Sequence, residues 1–382
     1  MQNRVAMRFK VTESIEVLGS RQWNALKGTD NPFLCYEFLS ALERHGCIGA
    51  HVGWLPRYLL AEDEQGNLLG AVPLYLKYNS FGEFVFDWSW AEAWERAGGR
   101  YYPKLVAAVP FSPVTGSRLL LRPDVDETVV HGLIQMAMTL AKEWGVSSLH
   151  WLFPHQREME WLGSCGLLLR QGYQFHWRNR GYRDFEEFLA ALSSKRRKEV
   201  RRERRQAQKQ GVDIKVIHGN ETTDLEWHAM YQFYQATFNA KGNYPVLTLP
   251  FFKSLGQTMG QAVILALATR GNQPIAGALY LRSQDTLYGR YWGCHEHLAG
   301  MHFELCYYRG LEYCIEHRLQ CFEPGAQGEH KISRGFLPTA TWSAHWLSDS
   351  GFRGAVADFL AQERRMIRNA MVELGEHSPY RQ

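Results

Sequence analysis

Apolar positions along the chain switch between a two-residue and a three-to-four-residue rhythm, and the same order of rhythms occurs twice. "LLAEDEQGNLLGAVPLYL" from Leu59 and "LALATRGNQPIAGALYL" from Leu265 alternate about a Gly-Asn pair, which predicts two β-hairpins with tight turns. Ahead of them, "PFLCYEFLSAL" from Pro32 and "PVLTLPFFKSL" from Pro245 share a Pro, a Leu two residues on, large apolar residues six and seven on, and a Leu ten on. Behind them, "LIQMAMTLAKEWGVSSLHWLFP" from Leu133 and "LCYYRGLEYCIEHRLQCFEPG" from Leu305 each predict an amphipathic helix and then a buried strand. The halves close on "QGYQFHW" (His176, Trp177) and "RGFLPTATWSAHW" (His345, Trp346). Matches that keep their order predict an α/β protein, an α+β mixed sheet flanked by helices, built as two tandem units by internal duplication. The expected units are 1–180 and 181–382.

The second unit opens on "DFEEFLAALSS", where Asp184 and Glu187 have capping-box spacing, followed by the most basic stretch of the chain. "SSKRRKEVRRERRQAQKQG" (193–211) has nine Lys or Arg and only Glu199 and Glu203 against them, and it predicts a helix over 194–210. The stretch carries +7 in a chain of net charge +4, so the remainder is at −3. That distribution argues against a nucleic-acid coat, and no DNA- or RNA-binding module is recognisable. An apolar fraction of 45% and a charged fraction of 21% are those of a globular protein. Seven cysteines without a C-x-x-C pair suit a reducing compartment. The N-terminus has no apolar leader and the longest apolar run, 262–268, is too short to span a bilayer, so the expectation is a cytoplasmic protein.

With the order of elements, three stretches carry a resemblance: "FDWSWAEAWERAGGRYYPKLVAAVPFSPVTGSRLL", "FHWRN" followed by "SSKRRKEVRRERR", and "FEPGAQGEHKISRGFLPTATWSAHW". The chain resembles the GCN5-related N-acetyltransferase (GNAT) fold in tandem, and within it the FemAB-like peptidoglycan biosynthesis/recognition proteins and N-acyltransferases. The resemblance implies a transferase. In Fem-type relatives an aminoacyl-tRNA ester gives its amino acid to an amine of a peptidoglycan precursor held in a groove between sub-domains. A K-x-R…V-R pattern supplies cations for the precursor's diphosphate, and it is matched by Lys195, Arg197, Val200 and Arg201. A second feature, F-K-x-x-F-G, is met in part by "HKISRGF": Lys331 takes the lysine position and His330 stands in place of the aromatic.

By the same resemblance, the reacting carbonyl lies where two central strands part. Glu323 at a strand end, Glu329 and His330 are the candidates to take a proton from the attacking amine, Glu323 or His330 before Glu329, with Lys331 facing the donor. On the basic helix, Arg197, Arg201 and Arg205 recur every four residues. Like charges at that spacing repel, which an anionic ligand relieves and a solvated Lys195–Glu199 pair does not. The segment with Asp87, Trp90, Tyr101, Tyr102 and Lys104 mixes charges, rings, Gly98-Gly99 and Pro103, and reads as a groove-lining loop or as a packed insertion. "CHEHLAGMH" (Cys294, His295, His297, His302) has too few ligands in place for a metal, and only Gly300 survives where an acyl-CoA enzyme carries a Gly-rich pyrophosphate loop. No metal or redox cofactor is required. The co-substrate is aminoacyl-tRNA or acyl-CoA, and the acceptor is an anionic, muropeptide-like amine. The alternatives are acyl-CoA-dependent transfer to a small amine and a non-catalytic module that recognises an anionic cell-wall fragment. The oligomeric state stays open.

Overall fold

A computed structural model describes residues 7–28, 30–296, 298–326 and 328–381. The chain forms two compact units: Met1–Tyr173 with Ala340–Ala370, and Gln174–Thr339 with Met371–Gln382. The first holds β1 (Arg8–Thr12), β2 (Trp54–Pro56), β3 (Tyr58–Glu62), β4 (Leu68–Val72), β5 (Leu74–Lys77), β6 (Lys104–Ala107), β7 (Leu120–Leu121) and β8 (Ser148–Leu152). Strand β9 (Leu168–Arg178) leads into the second unit, which holds β10 (Asp213–His218), β11 (Val263–Arg270), β12 (Gln273–Arg282), β13 (Thr286–Cys294) and β14 (Cys321–Glu323). Strand β15 (Leu337–Leu347) returns to the first.

The two units repeat one pairing scheme. In the first, β5 and β6 are antiparallel, β6 and β8 parallel, and β8 is antiparallel to residues 343–347 of β15. In the second, β12 and β13 are antiparallel, β13 and β14 parallel, and β14 is antiparallel to residues 177–178 of β9. Each unit thus takes its last strand from the other half of the sequence. This corrects the contiguous division at 180/181: a terminal strand satisfies its backbone only beside the parallel pair that offers it an open edge.

Helices cover the sheets as their apolar faces require. Glu127–Glu143 buries Val130, Leu133, Ile134, Ala137 and Ala141 against β3, β4, β6 and β8. In the second unit Asp224–Ala240 buries Trp227, Met230, Phe233 and Tyr234. It lies so close to β13 that a Cβ on Gly293 would stand 2.1 Å from Phe233 O. The predicted basic helix runs from Ser194 to Gln208. Asp184 caps the preceding helix through Glu187 N at 2.8 Å. The segment after Asp87, read as a loop, contains a helix over Trp88–Arg96 that ends before Gly98 at φ +83. No helix among the described residues is long and apolar enough to cross a membrane.

Candidate active site

In the second unit β13 and β14 pair only over Thr286–Cys321, Leu287–Phe322 and Tyr288–Glu323, after which β13 runs on to Cys294 without β14. The parting is written in the sequence: Pro324 has no N–H for the ladder and Gly325 turns away at φ +96. Glu323 stands at the fork, 9% exposed. Trp177 pairs with Phe322, and the residue before it, His176, brings Nδ1 to 3.9 Å from Glu323 Oε1. Burial, then the charges of Arg178 and Lys331, lower His176 to about 3, so its ring is neutral. Cys321, two residues before Glu323 and on the same face, brings a third donor, all three ligand atoms lying within 4.8 Å of one another. A His, Cys and carboxylate set is chemistry zinc accepts. Burial pushes the Cys321 thiol up to about 12, a shift that a coordinated cation would oppose. The "CHEHLAGMH" residues form no such group among the described residues, and His297 lies outside them.

The short helical turn Glu329–Arg334 follows, set between Gly328 (φ +117) and Gly335 (φ +98). Lys331 is buried and gives one of its three N–H bonds to Gly325 O at 2.7 Å, and burial lowers it to about 8. His330 is exposed, with Nε2 2.9 Å from the Tyr307 hydroxyl; burial, then Arg334 and Lys331, lower its pKa. Arg334 closes the turn on the basic helix, with Nη2 2.6 Å and Nε 3.2 Å from the two oxygens of Glu203, which also accepts from the Tyr308 hydroxyl. Lys331 thus bears on His176 through its charge and Glu323 Oε1 lies 3.9 Å from its Nδ1, while His330 is exposed.

The basic helix is two-sided. Val200, Glu203 and Ala207 face inward, and Arg204 reaches Glu304 (3.0 Å) and Glu312 (2.6 Å). Lys195, Lys198, Arg201, Arg202, Arg205 and Lys209 are exposed, and Arg197 is half-buried. The expected Lys195–Glu199 pair is corrected: Glu199 takes Arg196 at 2.8 Å, one turn at i,i+3. Arg201 pairs with Glu186, but both are about half exposed or more, so the pair is worth ~0–1 kcal/mol.

The first-unit candidates do not line a groove. Lys104 is fully buried, with Nζ 2.7 Å from Ser80 Oγ, 2.8 Å from Glu83 and 2.5 Å from Asp87, whose Oδ2 also accepts from Tyr101 at 2.7 Å. Trp90 packs with Tyr101, Leu347, Val356 and Leu360, and the half-buried Tyr102 shares Ser80 at 2.9 Å. Asp87, Trp90, Tyr101 and Lys104 are thus corrected from substrate contacts to a packed insertion. Out of water, both carboxylates depend on the Lys104 ammonium for the neutralisation that solvent would otherwise supply. Beside them, on adjacent strands, His150 Nδ1 meets His345 Nδ1 at 2.6 Å, with Ser148 and Ser343 on the far nitrogens at 2.7 and 2.8 Å. Sequence reasoning missed this pair and the His176–Glu323 pair. The repeated His-Trp that closes each half was the signal available. The exposed side of the insertion is instead Phe81, Phe84, Phe86 and Trp88, which alternation with the buried Glu83 and Asp87 could have shown.

A family model for FemAB-like proteins, described as peptidoglycan biosynthesis/recognition, matches residues 14–382, and the chain belongs to that family. Among solved structures it is similar to FemX (TM-score 0.53, 10% identity, 91% of this chain and 100% of that one). It is also similar to L-PGS from Bacillus licheniformis (TM-score 0.51, 8% identity, 85% of this chain and 95% of that one). At such identities the likeness is one of fold, and it agrees with the mixed α/β fold expected from the sequence. No curated protein matches the chain in sequence.

Proposed function

We propose that the protein is an acyltransferase that moves an acyl or aminoacyl group from an activated ester to an amine of an anionic acceptor of the peptidoglycan-precursor kind. The observation that carries this reading is the parting of β13 from β14 at Glu323, with the buried Lys331 one turn beyond. The acceptor nitrogen, once stripped of a proton by Glu323 or His330, attacks the ester carbonyl. The C–N bond forms as the C–O bond breaks, and the leaving oxygen takes a second proton from the nitrogen. The Lys331 ammonium lies beside the negative charge that develops. FemAB-like membership supports a cell-wall acceptor, and the outward cations Lys195, Arg197 and Arg201 suit its diphosphate.

Gly300 favours an ester such as aminoacyl-tRNA over acyl-CoA as the donor. It precedes the helical run 301–316, where a CoA pyrophosphate would meet free N–H groups. A Cβ there would stand 2.9 Å from Glu203 O and 3.3 Å from Ala207 N, so the basic helix occupies that approach. The test is thermal stability against pyrophosphate, a UDP-linked muropeptide, acyl-CoA and charged tRNA. A ligand of the native state alone raises its stability. Stabilisation by pyrophosphate and muropeptide that disappears in Arg197→Ala/Arg201→Ala is the expected result. Stabilisation by acyl-CoA alone would contradict the ester reading, and muropeptide binding without any discharge of charged tRNA would point to a recognition module.

A further inference from the structure

The last strand pairs of the two units share one register and carry different chemistry. In the first, Ser148 and His150 on β8 stand opposite Leu347 and His345 on β15. His150 Nδ1 meets His345 Nδ1 at 2.6 Å and Ser148 meets His150 Nε2 at 2.7 Å, so the set is closed by its own hydrogen bonds. In the second, Cys321 takes the place of Ser148, Glu323 that of His150, and His176 that of His345. The set becomes one thiol, one carboxylate and one imidazole, and it does not close in the same way. His176 is 3% exposed, and its Nδ1, 3.9 Å from Glu323 Oε1, has no hydrogen-bond partner among the described residues. A buried ring nitrogen left so costs about 1–3 kcal/mol unless something else meets it.

We propose that His176, Cys321 and Glu323 bind one zinc ion, with a fourth position left for water or a substrate atom. One donor atom from each lies within 4.8 Å of the other two. Zinc bonds of about 2.0–2.3 Å hold tetrahedral donors closer than that, so the ion draws the three inward by roughly 1 Å. The strands fix the arrangement: Cys321 pairs with Arg178 and Phe322 with Trp177, and Cys321 and Glu323 project from one face of β14 as alternate residues. Imidazole, thiolate and carboxylate together favour zinc over calcium or magnesium, which take oxygen ligands. Arg178 and Lys331 put positive charge near His176, but a divalent ion held by one thiolate and one carboxylate adds no net charge. The thiol proton that Cys321 gives up goes to solvent. Glu323, with 11% of its side chain exposed, opens the site toward the fork. Three protein ligands and an open position are the arrangement of catalytic zinc. An ion there occupies Glu323, and the proton of the acceptor's ammonium then falls to His330, the other base named above. Metal binding itself does not depend on the transfer reaction.

Metal content and spectra of the full chain test this. Protein purified without chelator or polyhistidine tag is expected to hold about one zinc per chain by plasma mass spectrometry. Cobalt titrated into zinc-free protein should give a thiolate-to-cobalt band in the near ultraviolet and the strong visible bands of a tetrahedral ion. Cys321→Ser should abolish the ultraviolet band. His176→Asn and Glu323→Gln should each weaken zinc binding ~100-fold or more while Tm shows the chain folded. Cys294→Ser, in the histidine-rich stretch that is the rival site, should leave the metal in place, and its loss there overturns the inference. Should Cys321→Ser fail to fold, zinc-edge absorption spectra of the wild type count the sulfur ligands directly: one supports the site, and none or several overturns it. A wild-type chain with no zinc and no cobalt–thiolate band overturns it outright. Neither measurement uses turnover. Zinc without discharge of charged tRNA therefore contradicts the transferase alone, and discharge by a chain that binds no zinc contradicts the metal site alone.

Discussion

Lys104 meets Glu83 and Asp87 out of reach of solvent, so each charge depends on the others for what water would have supplied. Burial alone would raise Asp87, yet Lys104 and then His150 hold it at about 2, while burial pushes Glu83 up to about 7. Lys104→Met should therefore cost about 3–5 kcal/mol in urea unfolding, because it strips the buried Asp87 of its cation and leaves Glu83 only Lys77, at 3.8 Å. A second consequence concerns the histidines. His150 and His176 are lowered to about 3 by burial first and neighbouring cations second, and His345 is lowered well below the ordinary value. The unfolded chain binds these protons near pH 6.5 and the folded chain does not, so stability is present above that pH and is lost as pH falls toward 3. Each buried histidine adds up to ~1.4 kcal/mol per pH unit over that window. Glu83 and Glu158, both raised to about 7 by burial, bind protons in the folded chain over the same window and oppose that loss. The histidine share is therefore read by difference: the advantage of the wild type over His345→Asn in unfolding free energy should shrink between pH 6.5 and 4.5.

The elements are positioned by pairs that lie far apart along the chain. The basic helix is anchored on its inner side by Arg204 to Glu304 and Glu312 and by Glu203 to Arg334, and this leaves its outer cations exposed. Gly300, at φ +80, lets the next helical run seat on that anchor. Gly300→Ala should destabilise by roughly 1–3 kcal/mol, since its Cβ would press on backbone that no rotamer can move, and calorimetry would register it as a lower Tm. Both hairpins, the Asp184 cap, the basic helix and the strand end at Glu323 were legible in the sequence, because local periodicity and turn chemistry decide them. The partners of Glu203 and Arg204 were not, because like-looking charges on one helix differ only in which of them meets a carboxylate a hundred residues away. For the same reason Asp87, Tyr101 and Lys104 read as groove residues: composition shows the mixture, but burial decides which side of it faces in.

For the whole molecule, repeated pairing makes duplication the economical account, and the two copies have diverged at one position of that scheme. The first unit closes its histidine pair and buries a salt-bridge network beside it; the second keeps an open His176–Glu323 pair where its strands part. The division into units escaped the sequence because a repeat shows where copies begin, not which sheet edge the last strand of each will join. The account's central claim is that ester chemistry happens at the second unit's fork. It is tested most directly by the rate at which the full chain discharges aminoacyl-tRNA in the presence of a UDP-linked muropeptide, compared with Lys331→Ala. Discharge by the wild-type chain, slowed ~100-fold or more in the variant while its Tm shows it folded, is the predicted result. Equal rates in the two, or no discharge by either, would contradict it.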